Sequence, residues 1–365
     1  MGLMSTKKRE SGVELLRIIA MCGVVILHFN DGRAFVDVEF GSINYYILIF
    51  AESICICAVN LYLLISGYFL CTSQRRSLIK PVELLIQVVF FLLIDYLVRV
   101  LLKVTVFSAK GFIGHLIPAN YFVILYIVVY LISPYLNIIF HSFNEKQWDR
   151  FILIVFIIFS IWNVVVDFSG EIIGREWYGL STIGAKGNQS GFNIINFFLL
   201  YSIGSYLRLR ITPNLNSFRI KAFFAWFICV LLVFFWALAC NSFTIFELRS
   251  AWVYHNPFVI LSSVFLFLVF KSFSFSVPAI NNLSKAALTC FLFHIKVMDL
   301  IYNYTKTLVE GSSIILIVFL MGLAIGMYLI SFVIYTLYSI LMNPLVSLIK
   351  KIKILNRSMF LDNDA

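Results

Sequence analysis

Ten apolar windows, each long enough to cross roughly 30 Å of hydrocarbon, leave this chain little choice of fold. They run at about 13–31, 44–70, 82–104, 119–140, 151–167, 191–207, 222–241, 256–271, 286–305 and 312–343. A backbone in lipid has to satisfy its own hydrogen bonds, and separate apolar segments of this length do so as helices. The expected fold is therefore all-α: a polytopic membrane protein, a bundle of about ten transmembrane helices. Composition agrees, since 61% of the 365 residues are hydrophobic and 13% are charged, against about 25% charged in soluble domains. The last window is long enough to be tilted, broken or continued as an interfacial helix.

The basic residues set the expected orientation. With a cytoplasmic N-terminus, ten spans return the C-terminus to the cytoplasm. Segments on that side hold 18 of the 28 Lys and Arg, from Lys7, Lys8 and Arg9 to Lys350, Lys351, Lys353 and Arg357. The other side holds 7, and Arg17, Arg99 and Lys296 lie within spans. Such a bias on alternating connections is the positive-inside pattern, and it places both termini in the cytoplasm. It also accounts for the net charge of +10 without nucleic acid, because the bases form short clusters between apolar runs and no soluble basic face. The N-terminus superficially looks like a signal peptide, but no small-x-small site follows and the run carries Arg17 and His28. It reads as a retained first span.

Most of the seven cysteines lie in apolar runs, where a free thiol behaves as a small hydrophobe. The Cys55-Ile56-Cys57 spacing does not suit a zinc knuckle, so neither a disulfide framework nor a metal site is expected. Residues 1–365 read as one integral-membrane domain, with a core at about 11–345 and a short basic tail at 346–365. The longest external loop, about 168–190, is rich in glycine (Gly170, Gly174, Gly179, Gly184, Gly187 and then Gly191) and reads as flexible and partly re-entrant.

In such a chain the informative residues are those lipid rejects. Arg17 and His28 are 11 residues apart, about three helical turns, so they share one stripe roughly 16 Å long. That stripe has to face protein or a wet cavity. Arg17 has Glu14 one turn earlier for a local pair. It either snorkels to the inner headgroups or offers its guanidinium fork to an anionic cytosolic ligand. His28 is either a packing residue or the side chain best suited to take a proton from a hydroxyl. Asp31, one turn on along the same helix, is the acid expected to orient it. Asp95 and Arg99 have the favourable i, i+4 order for an intrahelical pair, and Lys296 and Asp299 are placed for an i, i+3 pair. Glu52 is either a cavity residue or paired across helices, and His294 stands beside Lys296 without an assigned role. Ser66-Gly67 ends the second span with small residues that let backbones approach closely. The following turn carries Arg75, Arg76 and Lys80, either an ordinary positive-inside loop or a seat for phosphates. No Walker loop, nucleophile elbow or zinc-protease motif occurs near these positions.

Together these segments resemble the integral-membrane acyltransferase family 3. Its first-span signature, a basic residue, ten residues and a histidine, is met by Arg17 and His28. The second-span signature resembles residues 58–68 (AVNLYLLISGY). Residues 131–137 (LISPYLN), 198–208 (FLLYSIGSYLR), 280–285 (INNLSK) and 291–294 (FLFH) follow in the family's order. The likeness spans about residues 11–345. One departure stands out: where many members carry two arginines three apart, this chain has Arg75, Arg76 and Lys80.

The resemblance implies a bacterial inner-membrane enzyme that moves an acetyl group from acetyl-coenzyme A to a hydroxyl of a surface or lipid-linked polysaccharide. In that reading Arg17, Arg75, Arg76, Lys80 and Ser66 lie towards the donor, while His28, Arg17 and Asp31 form the catalytic set. His28 acts as a general base or carries the acyl group covalently. The alternative is a lipid-linked glycan flippase, which also needs many spans and buried charges but is usually built from internal repeats.

Overall fold

The structure, a computed structural model, describes residues 10–175, 177, 191–211, 215–242, 251–352 and 355. Lys7, Lys8, Arg9, Lys186, Arg249, Lys353, Arg357 and the loop glycines Gly179, Gly184 and Gly187 lie outside the described residues. Within the described residues the chain is helical with no strand, and each of the ten apolar windows carries helix.

The first window is α1, Ser11–Phe29. The second is split by a turn at Ile56 and Cys57 into α2, Ile43–Cys55, and α3, Ala58–Leu70. Then come α4, Ile79–Leu101, α5, Tyr121–Ser142, and α6, Glu145–Gly170, which widens to a π turn at Ile157–Ile161. Next are α7, Ile194–Leu209, α8, Leu215–Ser242, and α9, Pro257–Lys271. Last are α10, Ala287–Thr305, and α11, Ser313–Lys351. Seven of these stretches are long and apolar enough to cross a membrane by themselves, with α2 and α3 counted as one and α1 extended to Asp37. Helices α7 and α9 are shorter, and α10 is more polar because it carries His294, Lys296 and Asp299. The last window is one continuous helix of 39 residues, about 58 Å at 1.5 Å per residue. It therefore outruns the hydrocarbon, and Lys350 near its end pairs with Glu83 on α4 at 3.2 Å.

Burial divides the bundle into an inner and an outer set. In their most apolar stretches 61% of the residues of the α1 span and 67% of the α2–α3 span are buried, against 22% for α4 and α6 and 28% for α5, α8 and α11. Helix α1 is the axis, packed against α2, α3, α9, α10 and α11. The tightest seam joins α3 to α7. A Cβ on Gly67 would sit 2.2 Å from the Tyr201 carbonyl oxygen, and one on Gly204 would sit 2.2 Å from that of Leu64. Glycine is what lets the two backbones touch, as the Ser66-Gly67 pair suggests. Gly12 does the same at the start of α1, where a Cβ would stand 2.4 Å from the Phe270 carbonyl oxygen.

Two local expectations change. The Asp31 argument assumes continuous helix, but Asp31 has ψ 120° and Gly32 takes φ 70°, so the regular helix ends between His28 and Asp31. Asp31 is exposed where the chain turns, and it comes within electrostatic range of His28 from that turn instead of from the same helical face. Lys296 and Asp299 do not pair with each other along α10; each reaches another element, as described below.

Candidate active site

The stripe on α1 runs through residues 17, 21, 24 and 28, at steps of four, three and four. Arg17 and His28 at its ends are half-buried, whereas Met21 and Val24 between them are 1% and 2% exposed. The face thus points at protein, and its middle is filled by packed side chains.

At the Arg17 end, Nη1 donates to both carboxylate oxygens of Glu14, at 2.9 and 3.1 Å. Glu14 in turn accepts from Ser284 Oγ at 2.5 Å, which ties α1 to the segment before α10. The Tyr62 hydroxyl donates to the Arg17 carbonyl at 2.6 Å. Among the described residues the Nε and Nη2 groups of Arg17 take no protein partner, so one edge of the guanidinium stays open. That edge has the fork geometry suited to phosphate or carboxylate. Half-buried hydroxyls on two neighbouring helices lie on this side: Tyr62 and Ser66 on α3, and Tyr126 on α5, with Tyr130 a turn further on beside Arg76. Tyr126 lies within electrostatic reach of Arg17 and Arg76 and turns its hydroxyl to Ser66. Three residues expected near the donor, Arg17, Ser66 and Arg76, are thereby brought around one side chain.

The basic turn is not uniform. Arg76 is 4% exposed. Its Nε donates to Ser133 Oγ at 2.9 Å, its Nη1 to the carbonyls of Ser73 and Arg75, and its Nη2 to that of Leu70. Four of its five N–H donors are therefore engaged by protein, and the guanidinium lies over the Tyr130 ring at 5.4 Å. Asn137 completes the clasp by donating to the carbonyls of Leu70 and Ser73. Pro134 explains why Ser133 is there: proline cannot donate to the Tyr130 carbonyl four residues back, and Ser133 Oγ takes that acceptor at 2.7 Å. Arg76 thus holds the turn from within, while Arg75 and Lys80 are the exposed bases of the turn.

At the other end, the His28 ring contacts the ring of His294 on α10, with centroids 5.1 Å apart. His294 is fully buried, and its Nδ1 meets the Cys290 carbonyl at 2.8 Å. Directly beyond this pair the two elements are stapled together. Arg33 donates to the His28 carbonyl and to Asp299, both at 2.5 Å. Asp299 also meets Arg99 at 3.6 Å, Arg99 pairs with Asp95 at 3.0 Å, and Lys296 reaches Asp95 at 3.4 Å. The intrahelical Asp95–Arg99 pair is present, but as one link in a chain of five charges spanning α4, α10 and the end of α1. Glu52, 6% exposed, is paired across helices: Asn30 donates to it at 2.9 Å.

Sequence reasoning thus found the stripe and missed what faces it. Tyr126 and Tyr130 carry a legible signal, hydroxyl-bearing rings at i, i+4 in an apolar span. His294 is visible as an ionisable residue in a span, but nothing in the chain names His28 as its neighbour.

The fold defines a multi-pass membrane protein whose first helix carries an ionisable stripe facing protein. The acyltransferase-domain family, acyltransferase family 3, matches residues 10–336, and the chain belongs to it. It is a membrane acyltransferase, which sets the flippase alternative aside. No curated protein and no solved structure matches the chain.

Proposed function

We propose that the protein transfers an acetyl group from cytosolic acetyl-coenzyme A to a hydroxyl of a surface or lipid-linked polysaccharide across a bacterial inner membrane. The Arg17 end of α1 faces the cytoplasm in this reading, in line with the charge bias of the connections. Arg17 offers its open Nε–Nη2 edge to a phosphate of the donor, with Arg75 and Lys80 at the rim and the Ser66 and tyrosine hydroxyls beside the arm that carries the thioester. Arg76 acts indirectly, by holding the turn that presents Arg75 and Lys80.

At the other end the acceptor oxygen attacks the thioester carbonyl carbon. A C–O bond forms and the C–S bond breaks. His28 takes the hydroxyl proton and returns it to the departing thiolate, so the protein ends the cycle unchanged. Asp31, at the turn beyond α1 and within electrostatic range of His28, is the acid that balances the imidazolium formed in this step. The tight packing of Met21 and Val24 means that the acyl arm passes only when neighbouring side chains yield.

What supports this reading above all is that the open guanidinium edge and the His28 imidazole stand at the two ends of one buried-face stripe, in a member of an acyltransferase family. Mass spectrometry of surface polysaccharide tests it. Cells expressing the chain should carry one additional acetyl mass per acylated repeat, and His28→Ala should remove it while the protein stays inserted. Undiminished acetylation with His28→Ala would rule out His28 as the base.

A further inference from the structure

Among the buried polar atoms of the bundle, Nε2 of His294 stands next to the proposed base. It is buried and has no hydrogen-bond partner among the described residues. A buried acceptor without a partner costs free energy, about 1–3 kcal/mol in proteins generally, so such atoms stand out from ordinary packing. The other nitrogen fixes its character. Nδ1 faces the Cys290 carbonyl at 2.8 Å, and a carbonyl only accepts, so Nδ1 carries the hydrogen. In the neutral ring Nε2 is then a bare lone pair.

Its neighbour is the imidazole of His28, ring centre to ring centre 5.1 Å, tilted by 46°. The two nitrogens are not hydrogen-bonded as the rings stand; each ring nitrogen lies about 1.1 Å from its ring centre, so a turn of the His28 ring that aims one of them at Nε2 closes the gap to about 2.9 Å, a hydrogen-bond distance. His28 donates no side-chain hydrogen bond elsewhere among the described residues. The backbones that carry the two rings are held in register by Arg33, which bonds both the His28 carbonyl and Asp299.

We propose that His294 is a positioning residue of the transfer centre: when the His28 ring turns towards it, its Nε2 accepts a hydrogen bond from one ring nitrogen of His28. That contact fixes the tautomer and leaves the other His28 nitrogen as the lone pair that takes the acceptor hydroxyl proton. A neighbouring acceptor sets which nitrogen of a histidine is the base, and here an imidazole supplies that acceptor. The proton still travels from hydroxyl to His28 to thiolate; His294 neither gains nor loses one. This inference rests on the proposed role of His28.

The test compares two substitutions of similar size, His294→Gln and His294→Met. Glutamine can place a carbonyl oxygen where Nε2 lies, and methionine cannot. Both are measured as full chain in inverted membrane vesicles containing the host glycan, with acetyl-coenzyme A labelled in its acetyl group. His294→Met should lower kcat roughly 10²-fold, in the range for misdirected general-base catalysis, with KM for acetyl-coenzyme A within about twofold of wild type. His294→Gln should recover at least tenfold of that loss. Equal activity of the two variants, whether both high or both abolished, overturns the proposal, because the acceptor atom is then not what matters. Transfer that survives His28→Ala in the same vesicles would instead remove the reading on which it rests.

Discussion

At the Arg17 end of α1 a charged group is braced on one side and open on the other; at the His28 end the ring is hemmed in by a second imidazole and roofed by an ion-pair staple. The first arrangement suits a ligand that comes and goes, because the guanidinium keeps a free edge and is surrounded by half-buried hydroxyls. The second suits chemistry, because the ring is positioned from two helices at once. Between them lie Met21 and Val24, packed as closely as any core residue. In the proposed function one helix thus holds a docking end and a reacting end, separated by an apolar seal.

The largest effect that would sharpen this contrast comes from exchanging functions at the ends. His28→Ala should reduce kcat by about 10²–10⁴-fold, the usual yield of general acid–base catalysis, with little change in KM for acetyl-coenzyme A. Arg17→Ala should do the reverse. A hydrogen bond to a charged group is worth about 1.5–3 kcal/mol, so KM for the donor should rise roughly 10- to 100-fold while kcat holds within a fewfold. Steady-state kinetics on both variants decides it, and parallel effects on kcat and KM would erase the division of labour. A smaller change is expected at the staple. Asp299 is 42% exposed, so solvent screens its pairs; Asp299→Asn should slow turnover only a fewfold and leave donor KM alone. Smallest of all is Arg75→Ala, an exposed base at the rim, whose donor KM should shift by less than about threefold at physiological salt. A shift as large as that of Arg17→Ala would move the docking end to the turn after α3.

The sequence made the helices legible because each span had to be long and apolar to exist in lipid. It made the Arg17–His28 stripe legible because helical periodicity fixes which residues share a face, whatever packs against it. Asp95–Arg99 was readable for the same reason. Contacts between helices were not readable, since they depend on how each helix is rotated about its axis. Lys296 turned to Asp95 and Asp299 to Arg33 and Arg99, so the apparent Lys296–Asp299 pair dissolved. Asp31 stays within electrostatic range of His28 but leaves its helical face, and the chain did carry the cue: Asn30-Asp31-Gly32 is a turn sequence, and the left-handed Gly32 ends the helix there. Charge counting treats the bases of a connection alike, so it could not separate buried Arg76 from exposed Arg75 and Lys80.

The glycine seam between α3 and α7 bears on how such a machine can move. With backbone atoms in contact at Gly67 and Gly204, neither helix can rotate past the other without collision, and a single added methyl would prise them apart. These two helices therefore behave as one girder. Any breathing that parts the seal at Met21 and Val24 has to come from the partners of α1 outside that girder, α2, α9, α10 and α11, which makes those four helices the compliant wall of the proposed reaction path.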